Sequence, residues 1–153
     1  MRTPILFGPN AAGSQAIIGM ISSGQAKLLG GGHYQMRPLD IDDLSEALTI
    51  LCSTSIQDQV TYELVGPESA PYRDIIEMTA QVMGKTIAFG NVPILLAKFG
   101  AAITSILKGG GITPTVIDVI TQDEIVKTNA DSALGITLTP MKQTLKKMTS
   151  LGD

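Results

Sequence analysis

The chain has 153 residues, of which 44% are apolar and 16% charged, and its formal net charge is −3. This composition is typical of one globular domain. Its 11 Lys and Arg residues are spread along an acidic chain, which argues against a nucleic-acid partner, because phosphate binding needs clustered cations. The single Cys52 and the single His33 exclude an internal disulfide framework and a zinc site built from imidazoles and thiolates. Pro4, Pro9 and Asn10 argue against a cleaved signal peptide, so we expect a cytoplasmic protein.

Strand and helix patterns alternate along the chain, which predicts an α/β fold with parallel strands. The strand candidates, in order, are residues 3–7, 26–29, 34–41, 60–65 and 86–89. The helix candidates are residues 11–23, 43–52, 71–83, 93–107 and 114–120, with another after Thr139-Pro140. Residues 3–7 form a short apolar run without alternation, as expected of a strand covered on both faces. No linker or internal repeat divides the chain.

The segment Leu39 to Glu46 carries the clearest local signal. Asp43 followed three residues later by Glu46 has the spacing of a capping box and predicts a helix start. Asp42 and Asp43 could instead form an acid/base couple, but capping already accounts for Asp43. Cys52 at the end of this amphipathic helix is expected to be a small buried residue.

The longest apolar run, residues 92–107, is shorter than the ~20 residues that a membrane-spanning helix needs, and it contains Lys98. Leu95, Phe99, Ala102 and Ile106 recur at helical spacing, which favours a helix packed on a core. The alternative is an apolar surface that contacts a partner subunit or a membrane. Near the C-terminus Lys142, Lys146 and Lys147 are expected on a solvated helix face.

Catalytic motifs are missing from the sequence. Gly30 to Gly32 and Gly109 to Gly111 are not G-x-G-x-x-G fingerprints and predict turns, and no P-loop spacing occurs. His33 follows a triple glycine and is expected on a turn or at the surface.

Four elements, in this order and spacing, carry a resemblance: Arg2 to Pro9 (RTPILFGP), Arg37 to Asp43 (RPLDIDD), Tyr62 to Glu68 (YELVGPE) and Tyr72 to Ile76 (YRDII). Together they resemble the C-terminal half of an extended short-chain dehydrogenase/reductase, the NAD-dependent epimerase/dehydratase family. The GPE and YRDII variant is most similar to the atypical branch that includes the dehydrogenase-like accessory subunit of respiratory complex I.

The resemblance implies a single α/β domain over residues 1–153, the C-terminal part of a Rossmann-like fold. Residues 3–7 would be the sixth strand of its sheet, residues 60–65 the seventh, parallel beside it, and residues 93–150 a helical C-terminal part. The glycine-rich dinucleotide site and the catalytic Tyr-x-x-x-Lys pair would lie in an N-terminal half that is missing here. No tyrosine of this chain has a lysine four residues later, so we expect no catalytic residue in it. NAD(P) would be the cofactor of the parent fold, with none bound to this chain alone.

The resemblance also implies site residues. Arg37 matches the arginine that contacts the substrate diphosphate in sugar-nucleotide epimerases, although it could equally be a surface arginine or pair with Asp40 or Asp42. Phe7, Gly8 and Pro9 match the strand end that lines the nicotinamide pocket, although Gly8 and Pro9 also suit a strand terminator.

The leading hypothesis is therefore the substrate-binding portion of an NAD(P)-dependent nucleotide-sugar epimerase/dehydratase-like protein, inactive as an isolated chain. The alternative is a non-catalytic interaction or assembly module that uses Leu95 to Leu107, and a third possibility is an independent enzyme with an unfamiliar site. We expect the edge of strand 3–7 to pair with a second copy or with a separate N-terminal half, and we expect no membrane contact.

Overall fold

The computed structural model describes residues 1–53, 61–99, 114–123, 126 and 128–150. Strands are short: β1 Leu6–Phe7, β2 Gln25–Leu29, β3 Gln35–Met36, β4 Leu39–Asp40, β5 Ala70–Pro71 and β6 Ala88–Val92. The helices are α1 Ala12–Ser22, α2 Ile41–Ser53, α3 Tyr72–Val82, α4 Pro114–Ile120, α5 Asp131–Leu134 and α6 Met141–Thr149. Residues 94–99 are also helical, and residues 30–32 form a 3-10 turn. The chain is thus an α/β protein, as predicted.

The strands of the described segments form three two-stranded sheets. Strand β1 pairs in parallel with β4, β2 pairs in parallel with β6 over five residues, and β3 pairs antiparallel with β5. Helix α1 connects β1 to β2, and helix α3 connects β5 to β6.

The predicted strand 3–7 is regular only at Leu6–Phe7, because the chain changes neighbours near Pro4, which has no N–H to donate. Before this proline, Arg2 forms a parallel bridge to Glu63. After it, the Ile5 carbonyl accepts the Leu39 N–H at 3.1 Å.

Within the described residues, the predicted strand 60–65 pairs through the bridge between Glu63 and Arg2 alone, and residue 60 lies outside that part of the chain. The physical reason is that residues 37–40 come between β1 and the end of this segment. The Gly66 N–H donates to the Arg37 carbonyl at 3.0 Å, and a Cβ at Gly66 would lie only 2.0 Å from the Pro38 carbonyl oxygen. Arg37-Pro38 likewise divides the predicted strand 34–41 into β3 and β4.

Two apolar clusters form the core. The larger one joins β1, α1, β2, α3 and α6, with Phe7, Ile17, Ile75, Ile76 and Leu145 almost fully buried. The smaller one joins β4, α2, the segment at Leu64 and the chain around α5. Phe7 in β1 and Leu39 in the neighbouring β4 belong to different clusters, so this parallel pair has core on both sides.

No helix in the described part of the chain is long and apolar enough to cross a membrane.

Candidate functional site

Three chain segments that run in the same direction end close together. Strand β1 ends at the turn Gly8-Pro9-Asn10, β4 ends at Asp40, and the segment from residue 61 ends at Gly66-Pro67-Glu68. In α/β folds, ligands bind outside the carboxyl ends of parallel strands. This edge, which contains every site residue predicted from the sequence, is the candidate site.

The turn after β1 presents backbone rather than side chains. Phe7 is fully buried, so its ring is part of the core. Gly8 has a φ of 148°, its N–H donates to Ser14 Oγ at 3.0 Å, and a Cβ there would lie 2.5 Å from Ile41 Cγ2. A glycine is therefore required, because the turn approaches the start of α2 too closely for a side chain. These contacts account for Gly8 structurally, and the cofactor role of Phe7, Gly8 and Pro9 stays a prediction.

Arg37 binds the neighbouring turn. Its Nε donates to the Gly66 carbonyl at 3.0 Å, and Nη2 is 3.4 Å from the Pro67 carbonyl. Neither Asp40 nor Asp42 is among these contacts, and both have other partners. The guanidinium lies half-buried beside the Gly66-Pro67 turn, at the carboxyl edge, and its diphosphate-binding role stays a prediction.

The capping-box prediction at Asp43 and Glu46 is wrong, because α2 begins two residues earlier, at Ile41. Asp40 accepts the Asp42 N–H through Oδ1 at 3.0 Å, which is the contact of an N-cap residue. Its other oxygen, Oδ2, accepts hydrogen bonds from Thr144 Oγ1 at 2.7 Å and Lys147 Nζ at 3.1 Å. The Asp40 carboxylate is thus buried and fully occupied.

Lys147 is not simply a solvated lysine, because its ammonium also donates to Asp42 Oδ2 at 2.8 Å. The hydrogen bond to Asp42, and secondarily the one to Asp40, raises the pKa of Lys147, while partial burial opposes the rise. Lys147 therefore joins α6 to the start of α2.

Asp43 and Glu68 also hold the start of α6. Asp43 accepts the Thr139 N–H and the Thr139 hydroxyl, both at 2.7 Å, and Glu68 accepts the Met141 N–H at 2.8 Å. Asp42 and Asp43 point to different partners, so they do not form an acid/base couple here. Sequence reasoning missed Thr139, Thr144 and Glu68 as partners, and no local pattern signals them, because the contacts span 73 to 104 residues.

Tyr34 and Tyr72 stack with their ring centroids 5.6 Å apart and their planes inclined by 22°. Burial raises the pKa of both phenols, and the adjacent Tyr72 raises that of Tyr34 further. A catalytic tyrosine needs the opposite shift to exchange protons near neutral pH. This pair is therefore a packing element.

His33 and Cys52, the one histidine and the one cysteine of the sequence, are both exposed. His33 lies on the surface after the 3-10 turn, as predicted. Cys52 is exposed, so the prediction of a buried thiol is wrong. Five residues beyond the buried Ala47, Cys52 is rotated by about 140° from the face of α2 that contacts the core. No group of three or more metal-ligating side chains occurs within the described residues.

No family model and no curated protein matches the chain. Solved structures do match. A UDP-glucuronic acid 4-epimerase from Bacillus cereus in complex with NAD is 18% identical, with a TM-score of 0.63, over 96% of this chain and 40% of that one. The NADP(H) complex of Citrobacter sp. triphenylmethane reductase is 21% identical, with a TM-score of 0.60, over 86% and 47%. A dTDP-4-dehydrorhamnose reductase from Bacillus anthracis in complex with NADP is 17% identical, with a TM-score of 0.63, over 96% and 46%.

These likenesses define the fold of the chain. Its α/β fold is similar to that of short-chain dehydrogenases/reductases, and the neighbours named above are an epimerase and two reductases in complex with NAD or NADP(H). The chain spans less than half the length of these neighbours, so it corresponds to part of their fold.

Proposed function

We propose that this chain is the substrate-binding portion of an NAD(P)-dependent, nucleotide-sugar epimerase/dehydratase-like or reductase-like protein, and that it is inactive alone. The observation that carries the proposal is the coverage: 96% of this chain matches 40% of an epimerase that binds NAD. The absence of a Tyr-x-x-x-Lys pair from all 153 residues supports an assignment of the chemistry to another part of the parent protein. The sequence elements GPE and YRDII favour the atypical branch of this superfamily.

Binding measurements test the proposal. The chain alone is titrated calorimetrically with NAD, NADP and UDP-glucose, and then again after mixing with the protein product of the coding sequence immediately upstream. We expect a binding signal only in the mixture. Binding of NAD(P) by this chain alone would contradict the proposal.

Arg37 provides the sharper test of the substrate site. In the mixture, Arg37→Ala should weaken UDP-glucose binding about tenfold or more, because a guanidinium hydrogen bond to a phosphate is charge-assisted. The affinity for NAD(P) should stay unchanged. Arg2→Ala is the matched control, because Arg2 is an exposed arginine that contacts Glu63 at 3.4 Å. Equal effects of the two variants on UDP-glucose would refute the role of Arg37.

The edge of strand 3–7 is the proposed contact with the rest of the parent protein or with a second copy. The backbone N–H and C=O groups of Ile5 and Phe7 point to β4, so those of Leu6, which lies between them, point toward the opposite edge. Amide hydrogen exchange at Leu6 should be fast in the isolated chain and slow at least tenfold in the assembly. Unchanged exchange on assembly would place the contact elsewhere.

We place the assembled protein in the cytoplasm, where a reducing environment suits the exposed Cys52.

A second candidate function is a non-catalytic interaction module. The observation in its favour is the helix at residues 94–99, where three large apolar side chains are exposed. The absence of any binding signal for NAD(P) and UDP-glucose in the mixture would favour this module over the enzyme.

A further inference from the structure

The hydrogen bonds between β2 and β6 determine which backbone groups of β6 point toward its open edge. The Ala88 N–H donates to the Gly24 carbonyl at 3.0 Å, and the register pairs Ala88 with Gln25. In a parallel ladder the backbone N–H and C=O groups of alternate residues point to the same neighbour, so those of residues 88, 90 and 92 point to β2. The N–H and C=O groups of Phe89 and Asn91 therefore point away from the sheet, and no described residue pairs with them.

Among the described residues, the backbone edge of β6 is uncovered, and Arg73 is a nearby cation, with Cζ 4.2 Å from the centroid of the Phe89 ring. Parallel sheets are usually covered on both faces and extended by further strands, whereas the described part of the chain contributes two strands to this one. Edge strands are commonly protected by charges, but the run Thr86 to Pro93 contains no charged residue. Strand β6 thus offers a strand-pairing edge.

An apolar projection follows β6 directly. Leu95, Leu96 and Phe99 in the helix at residues 94–99 are 81%, 68% and 70% exposed. This is the described part of the predicted core-facing helix, and the exposure of these side chains matches the alternative interpretation of a contact surface. At the opposite end of β6 lies a groove of about 290 Å³ between α3 and residues 85–89. Its lining is mixed, with the apolar Ala80, Ile87 and Phe89 beside the polar or charged Glu77, Gln81, Lys85 and Thr86.

We propose that β6 pairs antiparallel with β6 of a second copy of this chain, across a twofold axis at Gly90. In this register Phe89 faces Asn91 of the second copy, so the outward groups of the two residues form four reciprocal hydrogen bonds. The two strands run in opposite directions, so the C-terminal end of each β6 lies beside the start of the other β6. The projection of Leu95, Leu96 and Phe99 (residues 94–99) therefore meets the groove at the start of the other β6.

The choice of a second copy follows from this self-complementarity. A twofold interface requires that the same surface carries both the projecting and the receiving part, at equal distances from the axis. The projection after residue 93 and the groove at residues 85–89 meet this condition about Gly90, and the uncharged strand between them adds no like-charge repulsion.

A cysteine at the axis tests the pairing directly. In a Cys52→Ser background, Gly90→Cys should form a disulfide-linked dimer under mild oxidation, because facing residues at a non-hydrogen-bonded antiparallel position lie about 4.5 Å apart at Cα. A Cβ at Gly90 has its nearest described neighbour, Lys27 Cγ, at 3.7 Å, so the residue fits. Gly19→Cys is the matched control, since Gly19 has open space around it. Equal cross-linking of the two variants, or none at Gly90→Cys, would overturn the proposal.

Sedimentation provides the second test. At about 100 µM the chain, with a mass of 16.1 kDa, should sediment as a dimer. Asn91→Pro removes an outward N–H, and Leu95→Lys with Phe99→Lys charges the projection. Each change should weaken dimerisation at least about tenfold. Lys27→Pro on the opposite edge should leave it unchanged, as should Leu48→Lys on α2.

Several outcomes would refute the interface: a monomer in the wild type, controls as damaging as the test variants, or binding of the wild type to phosphatidylcholine vesicles in place of dimerisation. Dimerisation that survives Asn91→Pro and the Leu95/Phe99 double variant would also refute it, and would favour pairing through the edge of strand 3–7. Leu95→Lys with Phe99→Lys keeps the test decisive if Asn91→Pro fails to fold, because both side chains are exposed.

Discussion

Replacement of Asp43 by alanine should destabilise the chain through α6 rather than through α2. The carboxylate is buried and accepts two hydrogen bonds of 2.7 Å from Thr139, one from the backbone and one from the hydroxyl. A hydrogen bond to a charged group contributes about 1.5 to 3 kcal/mol, and two bonds that share one carboxylate are not additive. We therefore expect a loss of about 3 kcal/mol in the free energy of unfolding.

Urea denaturation followed by circular dichroism measures this loss. With an m value of about 2 kcal/mol/M, the midpoint should fall by about 1.5 M. Asp42→Ala is the matched control, because Asp42 has the same place near the helix start but is mostly exposed. It should cost at most about 1 kcal/mol through the dipole of α2 and its ion pair with Lys147.

Hydrogen exchange locates the effect. Asp43→Ala should accelerate exchange in Met141–Thr149, whereas a capping box would predict faster exchange at the start of α2 and an equal loss for Glu46→Ala. Midpoints of Asp43→Ala and Asp42→Ala that differ by less than about 0.2 M would refute the reasoning.

Three further predictions follow from the same network and from the backbone. The pKa of Lys147 is raised in the folded state. Its contribution to stability is therefore complete below the pKa of a lysine in the unfolded chain, about 10.4, and is lost as the pH rises through the folded-state pKa. Lys147→Met should make the urea midpoint fall less steeply at alkaline pH. The raised pKa of Tyr34 opposes ionisation of its phenol in the folded state, whereas the phenol ionises freely in the unfolded chain above about pH 10. Stability is therefore lost above that pH. Tyr34→Phe should move alkaline unfolding, measured by circular dichroism, to higher pH. Gly66→Ala should prevent folding at 37 °C, because the added Cβ would lie 2.0 Å from the Pro38 carbonyl oxygen. Gly19→Ala, in the open interior of α1, should raise the free energy of unfolding by about 0.5 to 1 kcal/mol. Equal thermal midpoints of these two variants would contradict the glycine argument.

The order of elements was predictable because each depends on neighbours in sequence. The apolar run at residues 3–7 and the triple glycine at residues 30–32 are local signals, and the structure has a strand and a turn there. The fold class follows from their alternation, and the comparisons confirm it. The length of the first strand was not predictable, because the insertion of residues 37–40 between β1 and Gly66 is a tertiary event.

The partners of the acidic residues could not be predicted for the same reason. The pattern at Asp43 and Glu46 satisfies the capping-box rule, yet the side chain of Asp43 bonds Thr139, which is 96 residues away. The apolar period at Leu95 and Phe99 predicts a buried face, but periodicity cannot say whether the covering surface belongs to the same chain. In both cases local sequence gives the polarity of a side chain but leaves its partner open.

The acidic groups at the carboxyl edge hold α6 against the rest of the chain. Asp40, Asp43 and Glu68 lie at or just after the ends of the parallel segments, where an α/β enzyme would hold its acids and bases. Each of them accepts hydrogen bonds from α6 or from the residues just before it. The buried Asp40 and Asp43 use both carboxylate oxygens in their contacts, whereas the exposed Glu68 accepts the Met141 N–H through Oε2. The docking of α6 on the start of α2 therefore depends on carboxylates that local sequence patterns assign to a capping box or to an acid/base couple.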